Sequence, residues 1–235
     1  FVTATDTTSN LVTAIEAGGD DFIAKTVPEP VLQAKMKAMS RIAALRNRLS
    51  VANAKLQDQA NRDGLTGLLN RRAMDFQVDC LWERAQAQAR PFALLMVDVD
   101  NFKKYNDHYG HQAGDDCLRS VGACLDRVVR QANEQQTAPG TFVARYGGEE
   151  FAVVIPDAAP GVHTDLAAGL VQAIAALGIA HEKNADWGVV TISVGTSCMT
   201  PAGGPIKELF RQADRLLYQA KASGRNRAES VEQDA

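Results

Sequence analysis

The sequence predicts an α/β chain of the α+β kind, with a central mixed sheet flanked by helices and a long coiled-coil helix ahead of it. Three observations lead there. Short apolar runs of strand character alternate with amphipathic stretches from residue 61 to the end. Two of those runs flank Gly147-Gly148, a hairpin signal that makes neighbouring strands antiparallel and the sheet mixed. Residues 31–60 contain no Gly or Pro over about eight turns of helix.

Residues 1–30 read as strand, helix, strand: "FVTA", then "NLVTAIEAGGD" with its glycine stop, then "DFIAK". A βαβ piece of this size is too small to bury a core. The chain opens on Phe1, inside an apolar run, and reads as a fragment whose upstream part is missing. Residues 31–60 form a helical linker with apolar side chains at Leu32, Met36, Met39, Ile42, Leu45, Leu49, Ala52 and Leu56. From Ile42 the steps are 3, 4, 3, 4, a heptad seam that asks for a partner helix. A helix lying along its own domain is the competing reading. Residues 61–235 form the main domain. "NRDGLTGLLNRRAM" closes the long helix and starts another, and "PFALLMVDVD" (91–100) is a buried strand. "GHQAGDDCLRSVGACLDRVV" (110–129) carries a helix, and "TFVARYGGEEFAVVIP" is the hairpin. A helix in "GVHTDLAAGLVQAIAAL", a strand in "GVVTISVGTS" and a last helix in "IKELFRQADRLLYQAKASGRN" complete the order.

Composition narrows the function classes. The 235 residues suffice for one full domain and something smaller, and 46% hydrophobic with 23% charged residues fits a globular core. A net charge of -3 shows no basic excess, so no nucleic-acid partner is expected. Cys80, Cys117, Cys124 and Cys198 have neither CxxC nor metal-site spacing, which fits a reduced cytoplasm. No apolar run reaches the ~18 residues of a spanning helix and no signal peptide opens the chain, so no membrane partner is expected either.

The chemistry-bearing residues begin in "VDVD". Alternation puts Asp98 and Asp100 on one strand face at the end of an apolar run, where an acid meets either solvent or a cation. The hairpin adds Glu149 and Glu150 directly after two glycines, which allow a ligand to approach closely. If the two strands are neighbours, Asp98 and one or both glutamates converge. Carboxylate oxygens gathered without His or Cys suit Mg2+ or Mn2+, and Mg2+ favours a site shared with substrate phosphates. Lys103 and Lys104 follow the strand, and Lys221 and Arg225 sit four apart on the last helix in "AKASGRNR", hence on one face. Taken singly, each reads as a solvated surface charge. No GxxxxGK[ST] loop is present, so metal and scattered cations must hold any phosphates. Between them, Gly110 and Gly114 break "YNDHYGHQAGDD". A carboxylate and an amide suit the donor edge of guanine, so Asn106 and Asp115 are candidate readers; on spacing alone a capping and turn role stands equally. His111 finds no second His or Cys at zinc-site spacing.

Together "DGLTGLLNRR", "VDVDNFKKYNDHYGHQAGDDCL", "RYGGEEF", "TISVG" and "ADRLLYQAKASGRNR" resemble, in order and spacing, the GGDEF-domain diguanylate cyclases, from Asn61 to Arg227. The resemblance implies a fold like the palm of nucleotide polymerases and adenylyl cyclases. It implies an enzyme that joins two GTP into cyclic di-GMP and releases two pyrophosphates between two facing chains, with a pair of Mg2+ or Mn2+ ions at each GTP site. Asp98, the Val99 carbonyl, Glu149 and Glu150 correspond to the metal ligands. Glu149, which would activate the 3'-hydroxyl or stabilise the transition state, forms the catalytic set with Lys103. Asn106 and Asp115 correspond to the guanine readers with His111 close by, and Phe102, Lys103, Lys221 and Arg225 to the phosphate group. The seam at 31–60 would then assemble a homodimer, or a tetramer. Where many members carry an inhibitory RxxD product site, this chain has Ala138 and Thr141, so little product inhibition is expected there. Residues 1–30 resemble the end of a response-regulator receiver domain, with Thr3 as its switch threonine and Lys25 as its lysine. Thr26-Val27 separate that lysine from Pro28, where the family has proline at once. A receiver implies an upstream histidine kinase and a bacterial cytoplasmic setting.

Overall fold

The computed structural model describes residues 28–231 together with the backbone of Val2–Thr3 and Ile23–Ala24. The chain divides into two units, Phe1–Ala60 and Asn61–Ala235.

In the first unit, β1 (Val2–Thr3) pairs in parallel with β2 (Ile23–Ala24). Parallel neighbours need a crossover between them. The helix expected there, Lys25 and the side chain of Thr3 lie outside the described residues. Helix α1 (Glu29–Asn61) has no buried residue. Its seam side chains Ile42, Leu45, Leu49 and Leu56 are each more than half exposed.

In the second unit, a six-stranded sheet has the order β3-β5-β6-β4-β7-β8. Its strands are β3 (Leu69–Asn70), β4 (Phe92–Val99), β5 (Phe142–Gly147), β6 (Glu150–Pro156), β7 (Ile192–Met199) and β8 (Ala228–Ser230). The inner pairs are antiparallel, whereas β3 with β5 and β7 with β8 are parallel. The mixed sheet is therefore as expected. The helices are α2 (Arg71–Gln88), α3 (Phe102–Tyr109), α4 (His111–Glu134), α5 (Val162–Ala175) and α6 (Lys207–Ala222).

Every residue of β4 is buried, because helices cover both faces of the sheet. Alternation sorts its side chains. Ala93, Leu95, Val97 and Val99 face Tyr105 of α3, Val121 and Leu125 of α4 and Leu170 of α5. Phe92, Leu94 and Met96 face Met74 and Trp82 of α2 and Leu209 and Leu217 of α6. Asp98 continues the second series, so its carboxylate emerges on the α6 side.

Three boundaries differ from expectation. The strand ends at Val99, and Asp100 begins a turn in which Asn101 takes a left-handed φ of 54°. The segment before α4 is a helix of its own, α3, ended by Gly110 at φ 85°. Gly114 does not break the chain there; it lies buried inside α4. The edge strands β3 and β8, of two and three residues, are too short for any periodicity to register.

Candidate active site

The site gathers where the end of β4, the β5–β6 turn, the start of α3 and the end of α6 meet. Register places Asp98 opposite Glu150 on antiparallel β4 and β6, so their side chains share a face as a cross-strand pair. The hairpin turn is Gly148-Glu149, one residue later than the glycine pair suggests. Glu149 therefore stands on the turn itself, and its carbonyl accepts a hydrogen bond from Val99 N at 3.3 Å. Gly147 and Gly148 are exposed, and a Cβ on either would meet nothing within 4 Å. This is an open approach to the acids.

Lys221 Nζ lies 2.7 Å from Asp98 Oδ2, with the Asp98 side chain 9% exposed. Burial pushes the Asp98 carboxyl up to about 6, against the hydrogen bond and charge of Lys221, and the charges of Glu149 and Glu150 push it the same way. Lys221 pairs directly with Asp98, and the three clustered acids favour further positive charge beside them. Around this pair is a pocket of about 170 Å³ lined by Asp98, Val99, Phe102, Lys103, Glu149, Lys221 and Arg225, among others. The expected phosphate group thus converges with the acids. Lys221 and Arg225 do not share a helix face, since α6 ends at Ala222. Arg225 instead sits in the loop beyond, at φ 65°, followed by Asn226 at φ 48°. Each left-handed non-glycine costs about 1–2 kcal/mol, so other contacts must hold this loop.

Phe102 is buried and stacks on Tyr105 at 6.1 Å, so it can offer a phosphate only its backbone N–H. That N–H belongs to the first turn of α3, which has no capping side chain. Free N–H groups at a helix start suit a phosphate.

The guanine candidates lie on the other side of α3. Asn106 Oδ1 is buried and meets no hydrogen-bond donor among the described residues. It packs against Gly114, where a Cβ would collide with it. Asp115 and His111 are exposed on the first turns of α4. Neither Gly110 nor any side chain caps α4, so the capping role is not taken up. Ala138 and Thr141 are both buried, and Asn133 holds the Thr141 backbone through bonds of 2.8 and 3.1 Å.

Two features escaped the sequence reading. Arg145 donates to the Gly148 carbonyl at 2.8 and 3.0 Å and to Asp63 at 3.0 Å, fixing the turn that carries Glu149. Asp100, expected beside Asp98, is instead 1% exposed and turned inward. Both roles depend on residues distant in sequence, and no local pattern reveals them.

The donor set fits a hard divalent cation. Among the described residues no three Asp, Glu, His or Cys side chains gather as a ready metal cluster. Mg2+ needs only one or two carboxylates when water and phosphate oxygens complete its shell. Asp98, the Val99 carbonyl and the two glutamates meet that requirement for an ion arriving with a triphosphate.

A family model described as diguanylate cyclase, GGDEF domain, matches residues 60–227. The chain is 34% identical over 225 residues to the response regulator PleD of Caulobacter vibrioides, covering 94% of this chain and 47% of PleD. It is 35% identical over 182 residues to the diguanylate cyclase VdcA of Vibrio cholerae, covering 77% of this chain and 50% of VdcA. The chain thus spans about half the length of these relatives. The solved coiled coil and GGDEF domain of DgcB from Caulobacter crescentus, in complex with c-di-GMP, superposes with a TM-score of 0.69 at 30% identity. That match covers 85% of this chain and 99% of the DgcB chain.

Proposed function

The chain belongs to the GGDEF-domain diguanylate cyclase family, and on that premise we propose that it condenses two GTP into cyclic di-GMP. One observation carries the reading: one pocket is lined by Asp98, Glu149 on the adjoining turn, and Lys221 at 2.7 Å from Asp98, with Glu150 opposite Asp98 on the neighbouring strand.

Each chain holds one GTP. Asp115 accepts from the N1–H and N2–H2 edge of guanine, and Asn106 Oδ1 supplies a second acceptor, with His111 beside them. The triphosphate lies between the start of α3, Lys103, Lys221 and Arg225. Asp98, the Val99 carbonyl, Glu149 and Glu150 would hold a pair of divalent ions at each GTP site, which would supply positive charge toward the leaving pyrophosphate and the 3'-hydroxyl. Lys221 reaches both Asp98 and the pocket, so its ammonium exchanges the carboxylate for a phosphate oxygen as the substrate enters. Glu149 accepts or orients the 3'-hydroxyl proton. The 3'-oxygen attacks the α-phosphorus of the GTP on the facing chain, and pyrophosphate leaves. The reciprocal attack closes the ring. Proximity comes from pairing two chains, which the seam on α1 supports.

Upstream, the reading is a receiver domain controlled by a histidine kinase in the bacterial cytoplasm. The alignment with PleD and the parallel β1–β2 pair support it. A full-length protein whose oligomer and rate ignore a phosphoryl mimic contradicts this part. Buried Ala138 and Thr141 support weak product inhibition through that region, measurable by titrating the reaction with cyclic di-GMP.

The test is to incubate the chain with GTP and Mg2+, identify products by mass, and repeat with Glu149→Ala. Cyclic di-GMP from the wild type and a loss of at least about a hundredfold in the variant are expected, the scale of losing one transition-state contact. Another product, or full activity in the variant, contradicts the assignment.

A further inference from the structure

Asp100 is the only residue of "VDVD" whose carboxylate turns wholly inward. Its Oδ1 accepts from Ser193 Oγ at 2.6 Å, and its Oδ2 from Thr191 Oγ1 at 2.8 Å and Asn226 N at 3.1 Å. Its own N–H donates to the Thr191 carbonyl at 2.9 Å. Thr191 and Ser193 are fully buried. Asn226 directly follows Arg225, in the left-handed loop beyond α6.

The network continues to the start of α3. Thr191 Oγ1 accepts from Asn184 Nδ2 at 3.2 Å, and Asn184 Oδ1 accepts from Asn101 Nδ2 at 3.0 Å. The Asn101 carbonyl faces His181 Nε2 at 3.3 Å. One buried chain of bonds therefore ties together the end of β4, the turn that starts α3 and the loop that carries Arg225. These three pieces line the pocket beside Asp98.

We propose that Asp100 is the positioning residue of the phosphate end of the site, holding the Arg225–Asn226 loop and β7 against the strand end so that Arg225 and Lys221 face Asp98. The inference rests on the cyclase reading for the identity of the phosphates, and on the hydrogen bonds alone for the positioning. The chemistry explains the residue type. Three donors converge on two oxygens, and an ionised carboxylate accepts all of them without donating. Asparagine keeps the shape: its oxygen serves Thr191 and Asn226, and its amide donates to Ser193, whose hydroxyl can turn to accept. Alanine leaves the Thr191 and Ser193 O–H donors and the Asn226 N–H buried without the acceptor they share.

The test reads binding apart from turnover. The dissociation constant of guanosine 5'-(α,β-methylene)triphosphate with Mg2+ is measured by calorimetry for the wild type, Asp100→Ala, Asp100→Asn and Ser193→Ala. Asp100→Ala is expected to weaken binding about tenfold or more, and Asp100→Asn by no more than about threefold. Ser193→Ala falls between them and carries the test if Asp100→Ala does not fold. In a Lys221→Ala/Arg225→Ala background, Asp100→Ala is expected to add less than about twofold, since it acts through those cations. Wild-type binding by Asp100→Ala or Ser193→Ala overturns the proposal, as does a full additional loss in the double-variant background or an Asp100→Asn as damaged as Asp100→Ala. A wild type that binds the analogue yet makes no cyclic di-GMP from GTP overturns the cyclase reading and leaves the positioning result standing.

Discussion

At the scale of single residues, the site depends on what is missing as much as on what is present. Gly114 gives Asn106 its place, because a Cβ there would strike the amide oxygen. Gly114→Ala should keep the fold, since the end of a side chain can move aside. It should raise KM for GTP about twofold to tenfold, the worth of one neutral hydrogen bond at roughly 0.5–1.5 kcal/mol; steady-state kinetics decide it, and an unchanged KM removes Asn106 from the guanine contact. Asp63 supports the catalytic turn through Arg145. Burial pushes its carboxyl up, but the Thr66 hydrogen bonds and Arg145 outweigh burial and hold it below its ordinary value of 3.8. A lowered folded value stabilises the protein above the unfolded value and is lost as pH falls through the folded one. Asp63→Asn should therefore cost roughly 1–3 kcal/mol at pH 7, and its urea midpoint should approach that of the wild type below pH 4. A constant gap down to pH 2 contradicts the ion-pair account. The acids Asp98, Glu149 and Glu150 were legible because charge at the end of an apolar run is costly without a purpose. Asp100 carries the same letter in the same strand pattern, and only the buried hydroxyls of Thr191 and Ser193 separate its role from that of Asp98.

Among the elements, α6 holds Lys221 over Asp98, and its closeness to β7 sets that distance. Gly195 makes the closeness possible: a Cβ would collide with the Ala213 carbonyl and Leu217 N, which are backbone atoms that cannot give way. Gly195→Ala should cost roughly 1–3 kcal/mol or more by overpacking, seen as a lower urea midpoint. It should also weaken GTP binding, because α6 carries Lys221. A variant with wild-type midpoint and affinity shows that the contact is slack. The long elements were readable from period and composition: β4 as an unbroken apolar run, α4 and α6 as amphipathic stripes, the hairpin from its glycines. What was not readable was short or bent. Strands β3 and β8 carry too few residues for a pattern, and the loop at Arg225–Asn226 takes a left-handed path held by bonds from Arg225 N to the Ala220 carbonyl and from Asn226 N to Asp100. For the same reason the turn fell one residue from its expected place. Both glycines fit it, and the clamp from Arg145 to the Gly148 carbonyl selects the register.

For the whole molecule, the proposed reaction gives each chain half an active site. On the proposed reaction its acids and cations would surround one triphosphate, and the attacking 3'-oxygen would come from a second GTP held by a facing chain. Helix α1 exposes Leu45 and Leu49 on a heptad seam and buries nothing. Leu45→Glu with Leu49→Glu should leave the fold of residues 61–235 intact while removing the dimer, since like charges at a seam repel. The direct measurement is the rate of cyclic di-GMP formation per chain as the protein is diluted at saturating GTP and Mg2+, with molar mass followed by light scattering. The rate per chain is expected to fall together with the dimer fraction, and the seam variant to be monomeric and nearly inactive at every concentration used. Cyclic di-GMP made at an undiminished rate by a chain shown to be monomeric would contradict it.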